Sequence, residues 1–130
     1  MPDRRTFRTR CHDAARRTGG SVSEFRFADG VTPSFDQAVL DYGDRTVAII
    51  RAHDSASYAI AVPRTDKHDS GPLTFLDEPA LVAALTGARV LTKAELDSPF
   101  DPSRWPDVST ADVRYWKPTT LGEALFSYWD

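Results

Sequence analysis

The sequence predicts an α+β fold in which a four-stranded antiparallel meander is covered on one face by helices. Three observations predict this class. The 130 residues are 41% hydrophobic and include 14 aromatic side chains, so the chain can bury a substantial core. Short runs rich in strand-forming residues follow one another between turn signals from residue 22 to residue 62. Helical patterns lie on both sides of that region, and no boundary divides residues 1–130 into two domains.

The N-terminal segment is predicted to be a basic amphipathic helix over residues 4–18. This stretch contains no Gly or Pro, apolar residues recur at helical spacing from Phe7 to Ala15, and Gly19 follows as a stop. Residues 1–17 carry six arginines and two aspartates, a local charge of +4 that leaves −7 on residues 18–130. Whether this helix is peripheral or packs on the body is left open by the sequence.

The sheet is predicted from four runs of strand-forming residues, at 22–27, 37–42, 45–53 and 58–62. In the first run, Val22 and Phe25 fall on opposite sides of the alternation. Gly43 and Asp44 join the second and third runs as a two-residue connection that accepts the positive φ of a tight hairpin. Pro63 ends the last run because it has no N–H for the ladder.

The first covering helix is predicted at residues 78–86. Asp77 is its expected N-cap, and its apolar face ends at Gly87. Thr92 and Glu95 have the spacing of a capping box, which predicts a further one or two helical turns.

The second covering helix is predicted at residues 120–129, where Thr120 and Glu123 form another capping box. Residues 112–117 before it have the bulk of a strand that Pro118 stops. The apolar positions of the strands and helices are expected to meet in one core, made of Val39, Val47, Ile49, Ile60, Val62, Leu81, Leu85, Leu125 and Trp129.

Composition disfavours several classes of function. A net charge of −3 argues against a dedicated nucleic-acid binder, which carries a basic excess. The single cysteine, Cys11, allows neither a disulfide framework nor a paired-cysteine zinc site. No glycine-rich phosphate loop and no Gly-x-Ser-x-Gly motif occur, so we expect no cofactor. We also expect no metal, because the three His-Asp pairs, 41 and 15 residues apart, do not share the helical scaffold that such a metal site needs. No apolar run suits a signal sequence or a membrane span, so the expected compartment is the cytoplasm.

Two weaker patterns suggest chemistry. Each histidine precedes an aspartate, and a pocket that uses His53 or His68 with the neighbouring carboxylate would make the chain a small hydrolase or ligand-binding domain. Cys11 beside His12 resembles a thiol and its base, but adjacent helical positions point about 100° apart, so Cys11 is expected to be buried packing.

Nucleic-acid binding through the N-terminal helix is a second alternative. Arg4, Arg5 and Arg8 can pair with phosphates, and Phe7 can stack on a base. Against it stands the acidic remainder of the chain.

The leading hypothesis is a non-enzymatic protein-binding module. In the C-terminal half, carboxylates accompany large aromatic side chains, a combination in which aromatic anchors supply contact energy and charges supply steering toward a basic surface. The competing interpretation is that the aspartates are turn caps and the tryptophans are core. The expected partner-binding residues are Phe100, Asp101, Trp105, Asp107, Tyr115 and Trp116.

Residues 115–130 form a segment Tyr-Trp-Lys-Pro followed by a capped helix and a terminal Trp-Asp. This segment resembles the end of small uncharacterised bacterial proteins of actinobacterial type, a resemblance that implies no activity. In size, acidity and α+β make-up the chain also resembles immunity proteins that block a partner toxin. That resemblance implies an inhibitor that covers a basic surface of a toxin, and it assigns no functional residue.

Overall fold

The computed structural model describes residues 4–27, 35–52, 57–63, 73–106, 114 and 117–126. The four strands form one antiparallel sheet in the order β1-β2-β3-β4, which confirms the α+β class and the meander. The elements follow one another as α1 (Arg4–Thr18), β1 (Ser21–Arg26), β2 (Phe35–Asp41), β3 (Thr46–Ala52), β4 (Tyr58–Ala61), α2 (Pro79–Ala84), α3 (Lys93–Asp97), a 3₁₀ helix (Pro102–Arg104) and α4 (Leu121–Leu125).

The hairpin between β2 and β3 forms at the predicted position. Asp41 pairs with Thr46 at its end, and the Tyr42 N–H donates to the Arg45 carbonyl over 3.0 Å. Gly43 has φ of 90°, which glycine adopts without the penalty of a Cβ, and its N–H donates to the Asp41 carboxylate over 2.7 Å. Local chemistry therefore sets the register of the two central strands.

A β-bulge in β1 changes which side chains share a face of the sheet. Val22 pairs with Leu40 and Phe25 with Ala38, so the four residues 22–25 of β1 lie opposite the three residues 38–40 of β2. The extra residue places Val22 and Phe25 on the same face, where both pack against the same apolar cluster. The strict alternation predicted from the sequence is wrong here, because a one-residue bulge reverses the facing of every later side chain.

The first face of the sheet is covered by α1 and α2. Phe7 and Cys11 of α1 are fully buried there, together with Leu81 of α2 and Ile49 of β3. The N-terminal helix is therefore part of the domain core rather than peripheral to it.

The second face is covered by α3, α4 and the chain around Phe75. Ile50 of β3 and Ala59 of β4 point to this side and pack in a cluster with Leu96 and Leu125. The expectation that helices cover one face is therefore wrong. Its physical reason is that β3 and β4 are apolar at almost every position, so both faces had to be buried.

Helix-capping predictions have mixed outcomes. Both capping boxes form, with Thr92 accepting from the Glu95 N–H and Thr120 accepting from the Glu123 N–H. Asp77 does not cap α2, which begins after Glu78 without a side-chain cap. The Asp77 carboxylate instead accepts a hydrogen bond from the Lys93 N–H over 3.1 Å. This bond connects the start of α3 to the chain before α2.

Two further expectations fail. Val62 is 46% exposed and is not a core residue, because β4 ends at Ala61. In the predicted strand 112–117, Arg114 is helical and Lys117 has φ of 50°, so neither described residue is extended. Trp129 lies outside the described residues. The other predicted core residues are buried: Val39, Val47, Ile49, Ile60, Leu81, Leu85 and Leu125.

Candidate functional site

The predicted partner-binding surface is described in part. Phe100 and Trp105 are both partly buried and both pack against the cluster on the second face of the sheet. They belong to one loop, residues 98–106, which we call the 98–106 loop. Of the other four predicted residues, Asp101 is described, whereas Asp107, Tyr115 and Trp116 lie outside the part of the chain that the structure describes.

Asp101 holds the 98–106 loop in shape. Its carboxylate accepts from the Ser103 hydroxyl over 2.7 Å and from the Ser103 N–H over 3.1 Å, which caps the 3₁₀ helix. The hydrogen bond from the Ser103 hydroxyl contributes most, and that from the Ser103 N–H contributes next, to holding the pKa of the Asp101 carboxyl below its usual value. The Phe100 N–H also donates to the Thr119 carbonyl over 3.2 Å. Asp101 is thus both a turn cap and an exposed, ionised group.

Basic side chains balance the charge around Trp105. The Arg89 guanidinium lies over the indole ring, 4.7 Å from its centroid, and Arg104 is exposed beside it. Asp97 forms an ion pair with Lys93 at 3.0 Å. The described part of this surface is therefore aromatic and nearly neutral, and less acidic than its count of carboxylates suggested.

A second surface lies on the other side of the molecule, where α1 crosses the edge strand β1. Its members are Arg4, Arg8, His12, Phe25 and Phe27, and we call it the arginine–phenylalanine surface. The two phenyl rings are stacked, with centroids 5.8 Å apart and planes 5° apart. Arg4 and Arg8 lie over them, and the His12 ring meets Phe25 edge-on at 5.2 Å.

Helical geometry builds this second surface. Arg4, Arg8 and His12 are four residues apart, so they share one stripe of α1. Two like charges at this spacing cost about 0.2–0.5 kcal/mol, whereas an exposed cation over an aromatic face gains about 0.5–1 kcal/mol. The aromatic rings therefore offset the repulsion between the arginines and hold them together on the surface.

Carboxylates of α1 do not neutralise this stripe. Asp13 forms ion pairs with Arg16 at 2.6 Å and with Arg17 at 3.1 Å, in the C-terminal half of the helix. Among the described residues, no carboxylate forms an ion pair with Arg5 or Arg8. Arg5 and Arg8 thus present positive charge to solvent.

Sequence reasoning found the arginines but assigned the wrong aromatic residue to them. Phe7, the predicted stacking partner for a base, is on the buried face of α1 and is completely inaccessible to solvent. The aromatic contacts of the arginines come instead from Phe25 and Phe27, which are half-buried. The four-residue spacing from Arg4 to His12 was the available signal, but the sequence did not show which strand would lie beside it.

Three features that could carry chemistry are the Cys11 thiol, the His-Asp pairs and one cavity. Cys11 is buried as expected, and desolvation raises the pKa of its thiol far above the usual value. His53 and His68 lie outside the described residues, and no group of three or more potential metal ligands occurs within them. A cavity of about 220 Å³ is lined by Asp97, Thr120, Glu123, Gly122 and apolar side chains, and both carboxylates already hold hydrogen-bond or ion-pair partners.

Comparison of the chain with protein-family models, with curated proteins and with solved structures finds no match. None of the helices described here has the length and apolar character needed to cross a membrane.

Proposed function

We propose that the chain is a protein-binding module whose contact surface is the 98–106 loop. The observation that carries this proposal is that Trp105 stays partly exposed while its surroundings fix it in place. Tryptophan and arginine are enriched among the residues that dominate binding energy at interfaces, and here Arg89 lies over Trp105. A side chain that is ordered before binding loses less conformational entropy when it binds.

The anchoring of the loop supports this role. Asp101 and the Ser103 N–H fix its 3₁₀ helix, and Pro99 bridges to Thr120 at the start of α4. Phe100 and Trp105 are therefore held at defined positions on the surface of the domain.

The partner that we propose is a protein with a basic patch, and a toxin blocked by an immunity-type inhibitor is the specific form. Asp101 supports it, because its carboxylate is exposed and held in the ionised form. Because Arg89 and Arg104 lie close by and offset the charge of Asp101, we expect the aromatic contacts to dominate the affinity. Charge is expected to contribute to the association rate.

The experiment compares variants against one partner protein, the product of the neighbouring reading frame. Trp105→Ala is expected to weaken binding by at least about 30-fold, the equivalent of about 2 kcal/mol for a central aromatic residue. Val82→Ala is the matched control, since Val82 is an exposed apolar residue of α2, 38% accessible, outside this surface. Asp101→Asn keeps a capping side chain, removes the charge, and is expected to cost a few-fold in affinity.

Titration calorimetry at low and high salt, with thermal unfolding of each variant as the folding check, gives the readout. Equal affinity of the Trp105→Ala and Val82→Ala proteins would contradict the proposed surface. If Asp101→Asn binds the partner as tightly as wild type, and this affinity does not vary with salt, the basic patch on the partner is wrong. The aromatic contact of the proposal would then still stand.

A further inference from the structure

The two edges of the sheet differ in how the rest of the chain covers them. Beyond β4, Phe75 bridges to Ala61 and Val90 bridges to Tyr58, and all four residues of β4 are buried. At the other edge, among the residues that the structure describes, β1 is hydrogen-bonded to β2 alone, and no residue of β1 is buried. The outward-facing N–H and C=O groups of residues 21–25 therefore lack a strand partner within the described chain. A sheet edge of this kind can pair with a strand of another protein.

The helix α1 places one guanidinium over this open edge. On one flank of α1, Arg10 donates to the Tyr58 hydroxyl of β4 over 3.3 Å. On the opposite flank, the Arg8 guanidinium lies 5.2 Å from the Phe25 centroid and 5.4 Å from the Phe27 centroid. Phe25 and Phe27 are two positions apart, so their side chains stand on the same face of the strand. Arg8 therefore lies above the edge of the sheet, on the face that α1 covers.

The Arg8 guanidinium has donors for an incoming acceptor. Arg8 is exposed, and no carboxylate of the described chain forms an ion pair with it. A guanidinium over a ring uses its π-surface for that contact, whereas its N–H groups project from its rim. The planar fork of these donors matches a carboxylate. On the other face of β1, Glu24 is ion-paired with Arg26 at 2.6 Å, so the charge that seeks a partner stands on the α1 face.

We infer that the outer edge of β1 binds an extended segment of another protein, which adds to the sheet as a further strand and pairs one carboxylate with Arg8. This site is distinct from the 98–106 loop. The added strand lies about 4.8 Å from β1, and its side chain opposite Phe25 points to the α1 face, about 5 Å from that residue. The Arg8 guanidinium stands at nearly the same distance from the Phe25 ring. An acidic side chain at this one position therefore meets the Arg8 donors, and its neighbours on the same face contact the phenyl rings.

The edge selects against other occupants. The bulge at Ser23 interrupts the regular ladder, and bulges and charged side chains protect an edge strand from indiscriminate pairing. A second copy of this chain, paired edge to edge about a two-fold axis, would bring Arg8 of both copies to the same face of one seam, where like charges repel. A carboxylate on the incoming strand removes that repulsion and replaces it with an ion pair.

The probe for the charge contact is a fluorescein-labelled heptapeptide, Thr-Val-Thr-Glu-Thr-Val-Thr, titrated into the full chain at low salt and followed by anisotropy. Arg8→Gln is expected to weaken binding about fivefold, the upper range for one exposed ion pair. It should not weaken binding of the same peptide with Gln in place of Glu, because the partner charge is then gone. Arg17→Gln is the matched control, since it removes the same charge from the same helix at a position already paired with Asp13.

Two N-methylated peptides test the main-chain pairing. One carries N-methyl groups on both valines, and the other carries them on the third and fifth residues. Because the N–H groups of a strand alternate in direction, one of these peptides loses the two donors that face β1 and the other keeps them. At about 1 kcal/mol for each hydrogen bond, we expect the first to bind about 30-fold more weakly than the second.

Equal effects of Arg8→Gln on the Glu and Gln peptides would overturn the inference, and so would equal binding of the two N-methylated peptides or no saturable binding at millimolar peptide. A dimer of the protein in sedimentation that the peptide dissociates would assign the edge to a second copy instead. A loss confined to Arg8→Gln with the Glu peptide and to one N-methylated peptide, with unchanged unfolding temperatures, supports it. Because Arg8 is exposed, Arg8→Gln is expected to fold.

Discussion

Replacement of Arg51 by Met is expected to be among the most destabilising single changes in this domain. Arg51 of β3 lies directly opposite Asp36 of β2 and forms an ion pair with it, and the two residues are 2% and 0% exposed. The Arg51 guanidinium also lies over the Phe7 ring at 5.0 Å, beneath α1. The ion pair is therefore part of the surface against which α1 packs, and α1 carries the arginine–phenylalanine surface.

The magnitude follows from burial. Removing Arg51 alone leaves the Asp36 carboxylate out of contact with water and without its cation, a change that costs about 3–5 kcal/mol. Domains of this size have a total stability of about 5–15 kcal/mol, so the variant is expected to be marginally folded. In Asp36→Leu/Arg51→Met both charges are gone, and with them the cost of desolvating both. The double variant is therefore expected to lie within about 1–2 kcal/mol of wild type or above it.

Urea unfolding at pH 7, followed by tryptophan fluorescence and extrapolated linearly to water, measures the three free energies of unfolding. The double-mutant cycle then gives the coupling between the two side chains. A loss below about 1 kcal/mol in Arg51→Met would refute the reasoning, because only a pair in contact with solvent is worth so little. A double variant that loses the sum of the two single losses would equally refute it.

Two more stability predictions rest on buried groups. The Cys11 thiol has a raised pKa, so above about pH 8.5 the native state keeps the thiol proton while the unfolded state loses it. The free energy of unfolding is therefore expected to fall by about 1.4 kcal/mol per pH unit in that range. Urea titrations at several pH values measure this fall, and we expect Cys11→Ala to abolish it. Gly122→Ala places a Cβ in steric clash with the Phe75 ring. We expect a loss of about 1–3 kcal/mol in thermal unfolding, partly recovered with Phe75→Leu, and an unchanged Tm would contradict this packing.

Local signals were enough to predict the elements that local chemistry controls. The helix Arg4–Thr18, the turn at Gly43 and the capping boxes at Thr92 and Thr120 form within a residue or two of the predicted positions. In each case the interactions that select the structure lie within a few residues in the sequence, such as the Thr120 hydroxyl with the Glu123 N–H.

Features that depend on distant parts of the chain were missed. The Asp77 carboxylate bonds to Lys93, sixteen residues away, rather than to its own helix, and no local pattern identifies that partner. The bulge near Ser23 is fixed by the pairing of β1 with β2, where the Ser23 hydroxyl also donates to the Val39 carbonyl. The contact of Arg8 with Phe27 could not be predicted for the same reason, since it requires knowing that α1 packs beside β1.

The predicted acidic surface shows why counting charges is insufficient. A sequence gives the number of carboxylates but not their partners, and Asp97 and Glu123 are held by Lys93 and by the chain around Thr119. Asp101 is the described member of the predicted set that remains both charged and exposed.

The two proposed surfaces lie at opposite edges of the sheet, and this separates their tests. Arg89 runs beside β4, where the Tyr58 N–H donates to its carbonyl, whereas Phe25 lies on β1. Three strand spacings of about 4.8 Å put these edges about 14 Å apart, beyond the screening length of about 8 Å at physiological salt. Charge changes in Arg8 should therefore leave binding at Trp105 unaltered, and the two effects should add within about 0.5 kcal/mol. Non-additive effects would mean that one partner contacts both edges, or that the surfaces communicate through α1.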